Sequence, residues 1–146
     1  MRGCLIAAWE HAPRLEFARR IAMQLDFAKF YGLLPAIIQD HEDGRVLMLG
    51  FMNQEAFEKT VSTGKVTFFS RTRNKLWTKG ETSGHYLLLK RLEVDCDLDT
   101  VLVHAEAVGP GVCHEGYRSC FYRTLEDGEL KLTEEPTYDA AEVFGR

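Results

Sequence analysis

The sequence predicts an α+β domain built on a mainly antiparallel β-sheet with a few helices. Three observations lead to this prediction: short β-rich apolar runs outnumber helical patterns, Asp-Gly turns join successive runs, and no regular alternation of strand and helix persists. A length of 146 residues suits one domain. Hydrophobic residues make up 45% of the chain and charged residues 27%, which is typical of a globular protein with a buried core.

The first predicted element is an amphipathic helix over residues 14–30, where apolar residues recur every three or four positions. Gly32 and Pro35 are expected to end it, because both residue types terminate helices. On this interpretation residues 1–25 form an N-terminal helical extension, and residues 26–146 form a single domain.

A β-hairpin and a capped helix are predicted next. The apolar runs 36–40 and 46–50 flank an Asp-Gly pair, whose glycine supplies the positive φ that a tight turn needs. Asn53 is a residue type favoured at a helix N-cap, and Gly64 is favoured just after a helix end. A helix is therefore predicted over 54–63.

The second half of the chain is predicted to be mainly β. Residues 66–70 form a strand, and the polar stretch 71–85 is a loop or a strand interrupted by loops. Residues 86–94 and 100–106 are predicted to pair as an antiparallel hairpin. The last predicted elements are a hairpin of 120–123 with 129–132 around an Asp-Gly turn, and a short helix over 138–144.

Charge and hydropathy argue against two classes of function. Lys and Arg number 18 against 22 Asp and Glu, a net charge of −4, whereas a nucleic-acid-binding domain usually carries a basic surface. No apolar run approaches the ~18 residues of a transmembrane helix, and no secretory leader is recognised. We therefore predict a cytoplasmic protein with neither nucleic-acid nor membrane partners. In that reducing compartment the four cysteines are expected to be metal ligands or free thiols.

The acidic pentapeptide at 95–99 is the first candidate site. In an extended chain Asp95, Asp97 and Asp99 would share one face, and Cys96 would point to the other. Three clustered carboxylates repel one another unless a cation lies among them, and Mg²⁺ prefers such oxygen ligands. A solvated acidic turn is the structural alternative.

Three cysteines, Cys96, Cys113 and Cys120, form the second candidate site. Thiolates are soft ligands that select Zn²⁺ among the common intracellular metals. Three of them leave a fourth coordination position for water, as in catalytic zinc sites, where the pKa of that water falls close to neutrality. Three ordinary buried thiols are the alternative.

Two further patterns point to other chemistry. His104-Ala105-Glu106 matches the H-x-E of zinc nucleobase deaminases, but the P-C-x-x-C that should follow does not occur, and the tripeptide continues an alternating strand. The basic run at 70–75, in an acidic protein, suits a small phosphorylated ligand held by Arg71 or Arg73. A solvated loop explains this run equally well.

The order of these motifs along the chain resembles the phosphoribosyl-AMP cyclohydrolase family of histidine biosynthesis. The resemblance covers about residues 26–124 and rests on several separate segments. The segments are LPAIIQD at 34–40, VLMLGFMN at 46–53, FSRTR at 69–73, KGETSG at 79–84, DCDLD at 95–99, CHEG at 113–116 and RSCFY at 118–122.

The resemblance implies two metals, an intertwined homodimer and a reaction. The implied reaction is hydrolytic opening of the adenine ring of 1-(5-phosphoribosyl)-AMP at the N1–C6 bond, by a single cyclohydrolase domain over 26–146. One subunit would supply Cys96 to the zinc site, and its partner the other two cysteines. The implied ligands are Cys96, Cys113 and Cys120 for Zn²⁺ and Asp95, Asp97 and Asp99 for Mg²⁺.

Roles for the remaining polar residues follow from this hypothesis. His114 is the candidate for proton transfer, because histidine titrates near neutral pH; a structural histidine that orients the loop is the alternative. Arg71, Arg73 and Lys79 are predicted to hold the phosphorylated substrate. Trp77 is predicted to stack on the base, unless it belongs to the core.

Two other classes of protein stay open at this point. A zinc-stabilised interaction module would need the cysteines only for folding, and it would have no turnover to lose. A nucleobase or nucleoside deaminase would release ammonia, whereas ring opening keeps every nitrogen in the product.

Overall fold

The structure, a computed structural model, describes residues 14–145. The predicted N-terminal extension therefore lies partly outside the described residues. The helices and strands are, in chain order, α1 Arg14–Ala22, a 3₁₀-helix Phe27–Phe30, β1 Leu34–Asp40, β2 Val46–Met52, α2 Gln54–Thr63, β3 Thr67–Ser70, β4 Lys75–Thr78, β5 Leu87–Val94, β6 Val101–Ala107, β7 Arg123–Glu126, β8 Glu129–Leu132 and α3 Ala140–Phe144.

Four strands form the central sheet, in the order β2-β1-β6-β5. Strand β1 pairs antiparallel with β2, and β5 pairs antiparallel with β6, as the two predicted hairpins require. The hairpins join through β1 and β6, which run parallel, with Ile37 beside Leu102. The predicted α+β class and mainly antiparallel sheet are confirmed, with one parallel pair added.

The core lies on one face of this sheet. Along β1 and β6 every second residue is buried, so that Ala36 and Ile38 lie beside Val101 and Val103 on the same face. The same cluster of buried residues includes Phe57 of α2, which is fully buried. The period of two along the strands thus selects the face that the helices cover.

Helix α2 begins and ends where the sequence predicts. The Asn53 side chain accepts a hydrogen bond from the Ala56 N–H at 2.8 Å and so caps the first turn. Gly64 takes a φ of 76° and donates its N–H to the Thr60 carbonyl at 2.9 Å. Both ends are fixed by hydrogen bonds between residues three or four positions apart, which explains why the sequence predicts them.

The predicted single helix over 14–30 is wrong in its second half. Helix α1 ends at Ala22, and a separate 3₁₀-helix begins at Phe27. The break occurs because the Asp26 N–H donates to the Leu98 carbonyl at 2.7 Å, instead of to a carbonyl of its own helix. In α1, Ala18 is fully buried in the same core as β1. The division between an extension and a domain at residue 25 stays a prediction.

Two smaller hairpins flank the central sheet. Strand β4 pairs with β3 and places Trp77 opposite Phe68, so part of the polar stretch 71–85 is a strand. Strands β7 and β8 pair as predicted, and Leu125 lies opposite Leu130 on one face, with Leu132 beyond them. These three leucines, the leucine face, are 72%, 70% and 61% exposed, respectively.

The predicted helix near the C-terminus is present as α3, which Asp139 caps by accepting from the Ala141 N–H at 2.9 Å. None of the helices within residues 14–145 combines the length and apolar character that crossing a lipid bilayer requires.

Candidate functional site

The loop between β6 and β7 brings Cys113 and Cys120 together. The Cys113 N–H donates to the Tyr117 carbonyl at 3.0 Å, and the Gly116 N–H donates back to the Cys113 carbonyl at 3.0 Å, so the chain folds into a tight turn after Cys113. Tyr138, far along the chain, donates its hydroxyl to that same Cys113 carbonyl. The turn is thus fixed by its own backbone and by the C-terminal segment.

Cys120 is held against the central sheet. Its N–H donates to the Leu47 carbonyl of β2 at 2.8 Å. The neighbouring Ser119 is fully buried, and its hydroxyl donates to the Val46 carbonyl at 2.7 Å while accepting from the Phe121 N–H at 3.0 Å. A short polar side chain in a buried position has therefore a structural task here, namely to position the adjacent thiol.

The two thiols and one lysine form an electrostatic cluster, the thiol pair site. Burial, followed by the adjacent Cys113 thiol, raises the pKa of Cys120 to about 12, and the positive charge of Lys79 opposes that rise. Burial lowers the pKa of Lys79, while the nearby cysteines oppose the shift. Two touching soft donors, of which Cys120 has a raised pKa, form a site that a thiophilic cation would stabilise, which fits Zn²⁺.

Hairpin β3–β4 carries the predicted substrate-binding residues. Trp77 packs on Phe68, with ring centroids 5.0 Å apart, and the Lys79 ammonium lies 5.9 Å from the Trp77 ring centroid. Trp77 is half-buried and packs against the core, so it has a structural role of its own. Arg71 lies 4.0 Å from the centroid of the Phe51 ring, and Arg73 is exposed in the turn that joins the two strands.

His114 lies at the surface beside the thiol pair site. Its side chain is 61% exposed, and its Nε2 atom lies 3.1 Å from Oε1 of Glu115. An imidazole paired with a carboxylate and open to solvent can exchange protons with an arriving ligand. The geometry is compatible with the predicted role in proton transfer, which stays a prediction.

The acidic pentapeptide is a turn, so the extended conformation predicted for it is wrong. Leu98 takes a positive φ of 63°, and the Asp95 side chain accepts hydrogen bonds from the N–H groups of Asp99 at 3.0 Å and of Thr100 at 3.1 Å. This turn still gathers the three predicted carboxylates, since one oxygen from each lies within 4.8 Å of the others. The set consists of hard oxygen donors and therefore fits Mg²⁺.

One positive side chain of the protein already pairs with two of these three carboxylates. The Lys29 ammonium lies 2.5 Å from Oδ2 of Asp97 and 2.8 Å from Oδ2 of Asp99. The hydrogen bond from Lys29 holds the pKa of Asp97 at about 2, well below its ordinary value. In turn, the hydrogen bonds to Asp97 and Asp99 raise the pKa of Lys29. Lys29 was missed in the sequence, because no local pattern connects it with residues 68 positions away.

Cys96 does not join the other two predicted zinc ligands within one chain. It is exposed in the acidic turn, whereas Cys113 is buried and Cys120, although also exposed, lies beside Cys113. Within residues 14–145, the carboxylate cluster is the one group of three or more metal-ligating side chains whose donor atoms meet. Two of the three predicted zinc ligands are thus brought together, and the third faces solvent elsewhere.

The deaminase-like tripeptide has other partners. His104 lies on β6 with its Nε2 atom 2.8 Å from Oε1 of Glu93, and Glu106 pairs with Lys90 at 2.9 Å. Ala105 between them is fully buried. Both polar side chains are therefore on the face of the sheet opposite the core and pair with neighbours on β5, as the alternating pattern predicts.

Comparison with known proteins identifies the family. The family model described as phosphoribosyl-AMP cyclohydrolase matches residues 48–122, which include both thiols and the carboxylate cluster. A phosphoribosyl-AMP cyclohydrolase of Solibacter usitatus is 64% identical over 123 residues, which are 84% of this chain and 98% of that protein. The chain belongs to the phosphoribosyl-AMP cyclohydrolase family. The resemblance noted in the sequence, and with it the prediction of an enzyme of this family, is confirmed.

The matching region makes up nearly the whole of one further relative and about half of another. A phosphoribosyl-AMP cyclohydrolase of Desulfatibacillum aliphaticivorans is 52% identical over 122 residues, 84% of this chain and 98% of the relative. The histidine biosynthesis bifunctional protein HisIE of Bacteroides thetaiotaomicron is 62% identical over 110 residues, 75% of this chain but 54% of the relative. The cyclohydrolase family thus includes stand-alone relatives and a part of a longer bifunctional protein.

Proposed function

We propose that this chain hydrolyses 1-(5-phosphoribosyl)-AMP in histidine biosynthesis. The observation that carries the proposal is the 64% identity to a phosphoribosyl-AMP cyclohydrolase over nearly the whole of that relative. In the proposed reaction water adds to C6 of the adenine ring and the N1–C6 bond breaks. The oxygen of the added water stays on C6 as a carboxamide carbonyl. N1 and the exocyclic nitrogen on C6 both stay in the product.

The proposed cofactors are zinc at the cysteines and magnesium at the carboxylate cluster. Cys113 and Cys120 would hold zinc together with Cys96, and the three aspartates would hold magnesium. When bound, zinc supplies the chemistry of a water whose pKa lies near neutrality, in a site with an open coordination position. The touching thiols and the spacing of the carboxylates support this assignment.

The proposed assembly is an intertwined homodimer in which Cys96 of one subunit completes the zinc site of the other. Two features of the single chain support it. Cys96 is exposed and lies apart from the other two cysteines. The leucine face lies on the β7–β8 hairpin, which begins three residues after Cys120, and among residues 14–145 it is an exposed apolar surface of the kind that oligomers bury.

The proposed roles of the remaining residues follow from where they lie. Lys79 shares the low-dielectric surroundings of the thiol pair site, so its ammonium would attract the anionic substrate to the reacting position. Arg71 and Arg73, on the exposed turn of the β3–β4 hairpin, would hold phosphate oxygens by paired N–H donors. His114 would move a proton between solvent and the leaving N1 nitrogen. Trp77 would stack on the base while it supports Lys79.

The test is turnover of phosphoribosyl-AMP by the purified chain, followed by the ultraviolet change on ring opening. One arm contains a zinc-selective chelator and the other does not, with excess Mg²⁺ in both. The proposal predicts turnover that the chelator removes and that added Zn²⁺ restores. Cys113→Ser is expected to lose bound zinc and turnover together, whereas Cys4→Ser, a cysteine outside the family motifs, keeps both.

Two results would replace the proposal. Ammonia released in proportion to turnover would indicate a deaminase, because ring opening retains every nitrogen. A folded, zinc-loaded protein that shows no turnover, and that unfolds when zinc is removed, would indicate an interaction module instead.

A further inference from the structure

The carboxylate cluster contains its own counter-cation in this chain. The Lys29 ammonium lies between the carboxylates of Asp97 and Asp99. Asp99 is the buried member of the cluster, with its side chain 7% exposed. The backbone on both sides of this contact is fixed. The Lys29 N–H donates to Asp26 at 3.2 Å, and the Asp26 N–H donates to the carbonyl of Leu98, inside the acidic turn.

An ammonium and a divalent metal cannot share this position. Mg²⁺ binds carboxylate oxygens at about 2.0–2.1 Å, so that oxygens around one ion lie at most about 4.2 Å apart. The three carboxylate oxygens here lie within 4.8 Å of one another, close to that spacing. A metal placed on Oδ2 of Asp97 and Asp99 would lie in contact with a nitrogen that is 2.5 and 2.8 Å from the same atoms.

We infer that Lys29 is a positioning residue that holds the carboxylate cluster together before a divalent cation arrives, and that the cation displaces it. This inference rests on the proposed magnesium site. Three carboxylates without a counter-charge would repel one another and open the turn, so Lys29 preorganises the ligands while it competes for them. Displacement would free the Lys29 side chain, which belongs to the 3₁₀-helix. Metal binding at the acidic turn would therefore be coupled to the placement of Phe27–Phe30.

The first test measures Mg²⁺ binding to the full-length protein by titration calorimetry. Lys29→Met removes the competitor and one positive charge, and we expect it to bind Mg²⁺ about tenfold more tightly than the unaltered chain. Lys131→Met is the matched control, because that ammonium also pairs with two carboxylates, at 3.9 and 3.8 Å, on the β7–β8 hairpin. The control is expected to leave the affinity unchanged within about twofold.

The second test follows Lys29 itself in the unaltered chain, so it does not depend on how a variant folds. An amine-acetylating reagent is applied with and without saturating Mg²⁺, and the acetylated positions are quantified by peptide mass spectrometry. The side chains of Lys29 and Lys131 are equally exposed, at 43%, so Lys131 is an internal reference. Mg²⁺ is expected to raise the acetylation rate of Lys29 about threefold or more and to leave that of Lys131 unchanged.

The outcomes separate the two proposals. The inference about Lys29 is overturned, and the metal site stands, if three results hold together: Mg²⁺ binds the unaltered chain but not Asp99→Asn, Lys29→Met does not bind it more tightly, and Mg²⁺ does not change the acetylation rate of Lys29 in the unaltered chain. If neither the unaltered chain nor Lys29→Met binds Mg²⁺, the metal site fails and the inference fails with it. Binding that appears only in Lys29→Met would mean that Mg²⁺ cannot displace the lysine, and it would overturn the displacement while the carboxylate cluster stands as a metal site.

Discussion

A single methyl group added at Gly50 is expected to disrupt the packing that supports the site. Gly50 lies on β2 opposite Ala36, and a Cβ there would lie 2.4 Å from Cδ1 and 2.5 Å from Cε1 of Phe68. The Phe68 ring is 1% exposed and packs on Trp77, so it cannot move into solvent to relieve the contact.

The sign of the effect follows from two opposing magnitudes. Replacing glycine with alanine inside a strand gains roughly 0.5–1 kcal/mol, because the unfolded chain loses freedom. Overpacking a closed core costs about 1–3 kcal/mol, and contacts this short place Gly50→Ala towards the upper part of that range. We therefore expect a net loss in the free energy of unfolding of about 1–2 kcal/mol, measured by urea denaturation.

A double-mutant cycle tests the cause of this loss. Phe68→Val removes the ring atoms that the new methyl group would meet, so Gly50→Ala in that background is expected to cost less than about 0.5 kcal/mol or to stabilise the chain by filling space. The reasoning is refuted if Gly50→Ala costs the same in both backgrounds, because the clash would then lie with something other than the Phe68 ring.

Three further predictions concern other buried or paired groups. Ser119→Ala leaves one backbone carbonyl and one N–H without their partner and is expected to cost about 1–3 kcal/mol in urea denaturation, whereas Ser62→Ala on α2 costs less than about 0.5 kcal/mol. Asn53→Ala removes the α2 cap and is expected to cost about 1 kcal/mol in the same assay. The pKa of Asp43 is lowered by the backbone N–H of Arg45 and by Arg118, so its charge stabilises the fold above the unfolded-state pKa near 4, and this contribution is lost as the pH falls through the lower folded-state value. The stability difference between the unaltered chain and Asp43→Asn is therefore expected to shrink below about pH 4; a constant difference would contradict the assignment.

Elements whose signals are local were predicted from the sequence, and elements fixed by distant contacts were not. The α2 helix has Asn53 and Gly64 at its ends, and both act within one turn of themselves. The β1–β2 and β7–β8 hairpins have Asp-Gly turns, and Gly44 and Gly128 take the expected positive φ. By contrast, the parallel pairing of β1 with β6 joins segments more than sixty residues apart and has no short-range signature.

The site likewise contains local features that the sequence predicts and distant contacts that it does not. The turn after Cys113 closes within one contiguous loop, so a sequence motif marks it, whereas the strand anchor of Cys120 is the carbonyl of Leu47, more than seventy residues earlier. The helix break at Asp26 and the counter-cation Lys29 depend on the acidic turn, which is remote in sequence. The carboxylates were predicted to gather by strand alternation, but a turn with Leu98 at positive φ gathers them, so the grouping was predicted and its geometry was not.

A zinc site shared between two subunits can be tested by complementation between two inactive variants. Cys96→Ser and Cys113→Ser chains carry different affinity tags, are co-expressed, and are purified through both tags to isolate the mixed dimer. If each zinc site takes Cys96 from one subunit and Cys113 with Cys120 from the other, the mixed dimer retains one intact site of two.

Both homodimeric variants are expected to fail to turn over phosphoribosyl-AMP, while the mixed dimer has about half the turnover per dimer of the unaltered protein. A mixed dimer as inactive as its parents would contradict a site shared between subunits. Full activity of the Cys96→Ser homodimer would contradict the assignment of Cys96 to the site.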